Sequence, residues 1–249
     1  MATFVLVPGF WLGGWAWRSV ARSLRAGGHD VYPATLTGLG DRAHLAGPEV
    51  DLETHITDVV NLIEFEDLHD VVLVGHSGGG LPVTGTSDRI PQRLAKVVYV
   101  ESGELPDGTA QLDVYPPEGR AEIQRQIDGW RLPLPSWELL EQSGASLEGL
   151  GDTERAAMRE RAVPQPVGTL TQALKLANPA RLDVPRALIA CSFPLAMVRQ
   201  LASDGVPMFA ALAEPGWELL ELPTGHWPMF SRPADLTRLL ADLAAPAGF

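Results

Sequence analysis

One cysteine, Cys191, stands in the 249 residues, so no disulfide can form within the chain, a pattern that fits a reducing compartment. Its setting, Ala187-Leu188-Ile189-Ala190-Cys191, reads as a buried strand end, where a thiol packs as a small apolar group rather than acting as a nucleophile. Basic residues are also scarce. The 19 Lys and Arg against 31 Asp and Glu leave a net charge of −12, which argues against nucleic acid or an anionic membrane as partner, since both demand clustered cations. No long hydrophobic run is present. The apolar stretch from Phe4 to Val7 stops at Pro8-Gly9 and has no basic segment before it. It reads as a strand rather than a signal peptide or membrane span, and a cytoplasmic location is the default expectation. The Gly-rich loop at 8–14 lacks both the G-x-G-x-x-G and the G-x-x-x-x-G-K-[ST] spacing, so nucleotide binding is not expected. Nothing calls for a metal or another cofactor.

What is present is an alternation of short apolar runs with helical patterns, the signature of an α/β fold with a mostly parallel central sheet and helices on both faces. Strands are predicted at 3–8, 29–34, 70–75, 95–101, 186–191 and 217–222, and helices at 15–26, from Asp51 through Ile63, from Ser77 onward, and at 233–244. DVVLVG at 70–75 is apolar throughout, as a strand buried on both sides must be. Between 104 and 182 the pattern changes. Pro106, Pro116, Pro117, Pro133, Pro135, Pro164 and Pro166 break the chain, and helical patches appear only at 118–128, 136–142 and 152–162. The expectation is one domain over 1–249, with 104–182 inserted as a helical cap over the carboxyl edge of the sheet, where open α/β sheets bind ligands.

Gly75-His76-Ser77-Gly78-Gly79 is a G-x-S-x-G elbow between an apolar strand and a helix. Small neighbours allow the tight turn, which projects the Ser77 hydroxyl from the sheet edge beside a helix N-terminus. His76 is expected to point away from it and to be structural. His226, in the Gly- and Pro-bounded loop after the last strand, occupies the slot of the general base. His29, His44, His55 and His69 are read as solvated. The acid is the irregular member. After the 186–191 strand comes Cys191-Ser192-Phe193-Pro194 with no carboxylate, and Asp204 lies further along. Glu101, at the end of KVVYVE, is the leading candidate, with a Ser77–His226 dyad and Asp204 as alternatives. The two oxyanion donors are expected from the amides of Gly78 and Phe10.

FVLVPGFWLGGWAWRSV, TLTGLGDRAHLA, DVVLVGHSGGG and LPTGHWPMFSRPADLTRLL resemble the α/β-hydrolase branch that holds plant methyl esterases, plant hydroxynitrile lyases and bacterial relatives. The resemblance spans nearly the whole chain and is weakest over 104–182. It implies the α/β-hydrolase fold, Ser77 and His226 as nucleophile and base, and Phe10 and Gly78 as the oxyanion hole. Three features depart from the family. Pro8-Gly9 replaces the usual His-Gly, Gly79 differs slightly in the elbow, and the family acid after the 186–191 strand is missing. Many relatives carry an Asp where Glu101 stands, and some members of the fold place the triad acid there. Lyases of the branch carry a Thr and a Lys where this chain has Gly9 and Trp227, so lyase chemistry is not expected.

A pocket is predicted from Trp11, Leu12, Leu81, Tyr115, Trp130, Leu132, Trp137 and Trp227 along with Phe10. Its aromatic, apolar make-up points to a methyl or other small-alcohol ester of a hydrophobic or aromatic metabolite as the small-molecule partner. A cyclase or thioesterase on the same fold and a non-catalytic ligand-binding relative are the competing readings. Oligomeric state is left open.

Overall fold

The computed structural model describes residues 1–214 and 216–245. β1 (Thr3–Val7) leads through a turn of 3-10 helix at Gly14–Trp17 into α1 (Arg18–Ala26), and β2 (Asp30–Pro33) follows. α2 (Leu52–Phe65) starts at Asp51, whose carboxylate accepts the Thr54 amide at 2.9 Å while the Thr54 hydroxyl answers the Asp51 amide. This is a reciprocal cap that satisfies two otherwise orphaned N–H groups. Next come β3 (Val71–His76), α3 (Gly80–Arg89) and β4 (Leu94–Val100). The stretch 104–182 holds α4 (Pro117–Gln126), β5 (Arg131–Leu132), α5 (Trp137–Gln142), α6 (Asp152–Arg161), β6 (Gln165–Pro166) and α7 (Gly168–Thr171). Last are β7 (Arg186–Ala190), α8 (Leu195–Ser203), α9 (Pro207–Ala210), β8 (Trp217–Glu221), α10 (Pro228–Ser231) and α11 (Pro233–Leu243).

Six strands form one parallel sheet in the order β2-β1-β3-β4-β7-β8. Successive side chains of a strand point to opposite faces, and β1 shows the consequence. Phe4 and Leu6 pack with Val20, Leu24, Leu236 and Leu240 of α1 and α11, while Val5 and Val7 pack with Val59, Ile63 and Val83 of α2 and α3. Both faces are therefore covered by helices, and β3 and β7 are buried along their whole length. The order turns back between β1 and β3, which opens a crevice at their carboxyl ends.

Two details differ from the expectation. The helix predicted from residue 15 begins as a 3-10 turn, and the one predicted from Ser77 has a 3-10 first turn at Ser77–Gly79. The 104–182 stretch also contains the antiparallel pair β5 and β6, each only two residues long, too short to leave an alternating pattern in the sequence. No helix among the described residues is long and apolar enough to cross a membrane.

Candidate active site

Four chain segments meet above the carboxyl edge of the sheet. β3 delivers Ser77, which sits at φ +48 in the left-handed region that a side chain rarely adopts. The turn closes because its flanks are bare. A Cβ on Gly75 would stand 2.7 Å from the Gly79 carbonyl oxygen, and one on Gly79 would stand 2.6 Å from that of Pro8. The Ser102 hydroxyl, just past β4, donates to the Ser77 carbonyl at 2.7 Å and ties the elbow to the neighbouring strand.

His226 comes from the loop after β8. Its amide donates to the Ser146 carbonyl at 2.8 Å, and the Gly225 amide donates to that of Glu148 at 3.1 Å. The loop is thereby fastened to the 104–182 stretch. His226 Nε2 lies 2.8 Å from Ser77 Oγ. On the other side of the ring, Nδ1 faces Glu101 Oε1 at 3.8 Å. That is an ion-pair separation, about 1 Å longer than a hydrogen bond, of the kind that tightens when the ring becomes charged.

Glu101 ends β4 with φ +46, and its side chain is only 4% exposed. It crosses to the tip of β7, where the amides of Cys191 (2.8 Å) and Ser192 (3.1 Å) and the Ser192 hydroxyl all donate to it. Burial alone would raise its pKa, but the His226 imidazole, the Ser192 hydroxyl and the Cys191 amide outweigh it and hold the carboxyl below its ordinary value. An ionised Glu101 favours the tautomer with the proton on Nδ1, which leaves Nε2 free to accept from Ser77. Asp204, the other acid considered, is exposed past the end of α8 and is bonded by Gln200.

The first-strand loop supplies Phe10, and among the described residues no acceptor takes its amide. Trp11 holds this loop in place at φ +66. Its amide donates to Gln165 Oε1 at 3.0 Å and its indole N–H to the Leu132 carbonyl at 2.9 Å. Gly78 faces the Phe10 ring closely, since a Cβ there would stand 2.5 Å from ring carbons.

The sequence match is as extensive as the geometry. The chain matches the model of the alpha/beta hydrolase family over residues 4–239. This chain is an alpha/beta hydrolase. It is 36% identical over 249 residues to a carbendazim hydrolyzing esterase of Nocardioides sp. (strain SG-4G), covering 98% of this chain and 100% of that protein. Methylesterase 3 of Arabidopsis thaliana is 26% identical over 264 residues, 96% of this chain and 95% of the relative. Among solved structures, an extracellular alpha/beta-hydrolase from a Paenibacillus species superposes with a TM-score of 0.80 at 24% identity, covering 99% and 100% of the two chains. That similarity speaks for the fold.

In this alpha/beta hydrolase a cavity of about 260 Å³ opens over Ser77 and His226, and Phe10, Gly78 and Glu101 reach it too. Of the predicted lining, Trp11, Leu81, Tyr115 and Trp227 border the cavity. Leu12, Leu132, Trp130 and Trp137 do not. Leu12 is fully buried against Trp17 and α1, because the loop turns into the core there. Leu132 is spent on the short pair with β6. Trp130 and Trp137 lie under the guanidinium groups of Arg131 (4.4 Å) and Arg159 (4.5 Å), and α5 turns Leu140 to the cavity instead. Leu105, Gln111, Phe193 and Phe209 also line it. No motif announces them, since they reach the cavity through chain reversals that leave no periodic trace.

His55, read as solvated, is 2% exposed, with Nε2 2.9 Å from the Thr37 carbonyl, and burial lowers its pKa. His76 is wholly buried and points away from Ser77 to the backbone of His226. Its Nε2 donates to the His226 carbonyl at 2.7 Å, and among the described residues Nδ1 has no partner. Burial, with the neighbouring His226 ring as the next cause, pushes its pKa down to about 3, so it stays neutral beside His226. His76→Leu removes the donor that fixes the His226 backbone, and kcat is expected to fall roughly 10²-fold, the scale of small misplacements in a catalytic pair. His76→Gln retains a donor and should recover most of it; steady-state kinetics on a chromogenic ester compare the two.

Proposed function

We propose that this enzyme is a serine esterase that cleaves a methyl or other small-alcohol ester of a hydrophobic, aromatic acid through an acyl-enzyme on Ser77. The observation that carries the proposal is the 2.8 Å contact between Ser77 Oγ and His226 Nε2 at a strained elbow, with an ionised Glu101 behind the ring. His226 takes the Ser77 proton as Oγ attacks the ester carbonyl. The amides of Phe10 and Gly78 receive the oxyanion. Collapse of the tetrahedral adduct breaks the acyl–oxygen bond, and His226 returns the proton to the departing alcohol. Water then repeats the sequence on the acyl-enzyme, releasing the acid and restoring Ser77.

Size and lining narrow the substrate. A cavity of about 260 Å³ lies just under the range of roughly 300–1,000 Å³ found for drug-sized ligands, which suits one or two rings rather than a long chain. Phe10, Trp11, Tyr115, Phe193 and Trp227 give it aromatic walls. The 104–182 stretch acts as the cap in this reading, supported by Leu105, Gln111, Tyr115 and Leu140 on the cavity wall. The printed names of the relatives, a carbendazim hydrolyzing esterase and methylesterases, support ester cleavage. Glu101 facing His226 at 3.8 Å supports ester hydrolysis over the cyclase reading.

The purified enzyme should release 4-nitrophenol from its acetate with an initial burst, be labelled at Ser77 by a fluorophosphonate, and release methanol faster from aromatic than from long aliphatic methyl esters. No turnover on any of these esters, together with no labelling, would refute the proposal. Gly78→Ala tests the oxyanion hole. The added Cβ meets the Phe10 ring, so it disturbs both donors at once, and a loss in kcat of about 10²–10³-fold is expected with folding intact by circular dichroism.

A further inference from the structure

We propose that Ser192 is a positioning residue, which seats the Glu101 carboxylate for His226 from the tip of the adjacent strand. The inference rests on the reading of Glu101 as the acid of the site. β4 and β7 are parallel neighbours, with Val100 paired to Ile189 and the Glu101 amide donating to the Ile189 carbonyl at 2.9 Å. Glu101 therefore leaves β4 beside the point where the chain leaves β7. Its left-handed backbone turns the side chain across that gap.

The carboxylate is divided between two tasks. Oε2 takes the Cys191 amide at 2.8 Å. Oε1 takes both the amide and the hydroxyl of Ser192, and it is this same oxygen that faces His226 Nδ1. A glutamate has three side-chain torsions and loses more freedom on being fixed than a shorter acid would. It is also nearly fully buried, where a carboxylate stays ionised only if donors replace its lost water. The two amides are backbone groups that any residue except proline would offer at 191 and 192. The hydroxyl is the one donor that depends on the identity of residue 192. Ser192 touches no reacting atom, so its effect passes through Glu101 and then through the imidazole.

The groups around this pair are few. Glu101 faces His226, Ser192 and Cys191, and His226 faces Glu101, Ser77 and the neutral His76. Among the described residues no second carboxylate pairs with His226.

Ser192→Thr and Ser192→Val provide the test, because the two side chains match in shape and differ in the hydroxyl. On 4-nitrophenyl acetate, Ser192→Val should lose about 10- to 100-fold in kcat, the range of one charge-assisted hydrogen bond, with KM within about twofold. Ser192→Thr should keep kcat within about threefold of the parent, because it retains the donor. The coupling decides the mechanism. In a Glu101→Gln background the Ser192→Val change should cost less than about twofold, since the group it positions is already lost. Equal Thr and Val rates, or the same loss in both backgrounds, would overturn the role of Ser192 while leaving Glu101 as the acid. If Glu101→Gln alone is nearly as active as the parent, the acid assignment fails first and this one with it. Thermal melting of each variant separates these outcomes from loss of the fold.

Discussion

Ser77→Ala should lower kcat on a chromogenic ester by about 10⁴–10⁶-fold, the scale reached when the nucleophile of a coupled serine–histidine pair is removed. Oγ stands 2.8 Å from His226 Nε2 in the cavity, and among the described residues no other hydroxyl bonds to that nitrogen. Ser102 also lines the cavity, but its hydroxyl is committed to the Ser77 carbonyl. Cys191 is equally unsuited, because burial and the nearby Glu101 carboxylate push its thiol pKa far up and leave no thiolate. The variant should stay folded. The bond from Ser102 goes to a backbone oxygen that alanine retains, and the left-handed backbone at residue 77 is imposed by the surrounding turn rather than by the hydroxyl. KM should change little if the cavity walls, rather than Oγ, hold the substrate. Fluorophosphonate labelling must vanish with the activity. Equal turnover by the parent and Ser77→Ala, in matched preparations, would end the acyl-enzyme reading.

Much of this site is legible in the sequence, because its decisive features are local. G-x-S-x-G names an elbow wherever a buried strand precedes it, and the loop after the last strand can hold only His226. The sheet is readable for a similar reason. Strands covered on both faces must be apolar throughout, as β3 and β7 are. The partner of His226 is less legible, since whether Glu101 reaches it depends on β4 lying next to β7 and on a positive φ at its end. Ser192 illustrates the limit more sharply. A serine following a strand carries no signal of its own, and only the strand order puts its hydroxyl on the carboxylate. Two of the predicted aromatics miss the cavity for a related reason. Trp130 and Trp137 resemble cavity residues in type, yet each is stacked under a nearby arginine, and neither a turn nor a helical patch shows which surface its tryptophan will cover.

The neutral isostere at the acid position separates a triad from a dyad. Glu101→Gln should reduce kcat by about 10³–10⁴-fold, the loss that follows when a catalytic histidine is held in the wrong tautomer. With Glu101 ionised, Nδ1 keeps its proton and Nε2 accepts from Ser77. A glutamine held in the same place can turn its amide toward Nδ1 and donate to it, which moves the ring proton to Nε2 and blocks the base. It also removes the negative charge that stabilises the imidazolium once the Ser77 proton has moved. The sign of the pKa shift adds a second check. Because the folded carboxyl is held below its ordinary value, it is already ionised in neutral solution, whereas glutamine carries no charge at any pH. For the parent, the stabilisation from this carboxylate is fully present above its unfolded pKa and is lost as the pH falls through the lower folded value, so activity and thermal midpoint should decline together only in acid. Glu101→Asp keeps the charge but withdraws it by one methylene from a gap that is already 3.8 Å, and should fall between the parent and Gln. A loss below about tenfold in Glu101→Gln would instead show His226 working without a charged partner, since neither the tautomer nor the imidazolium would then depend on the carboxylate.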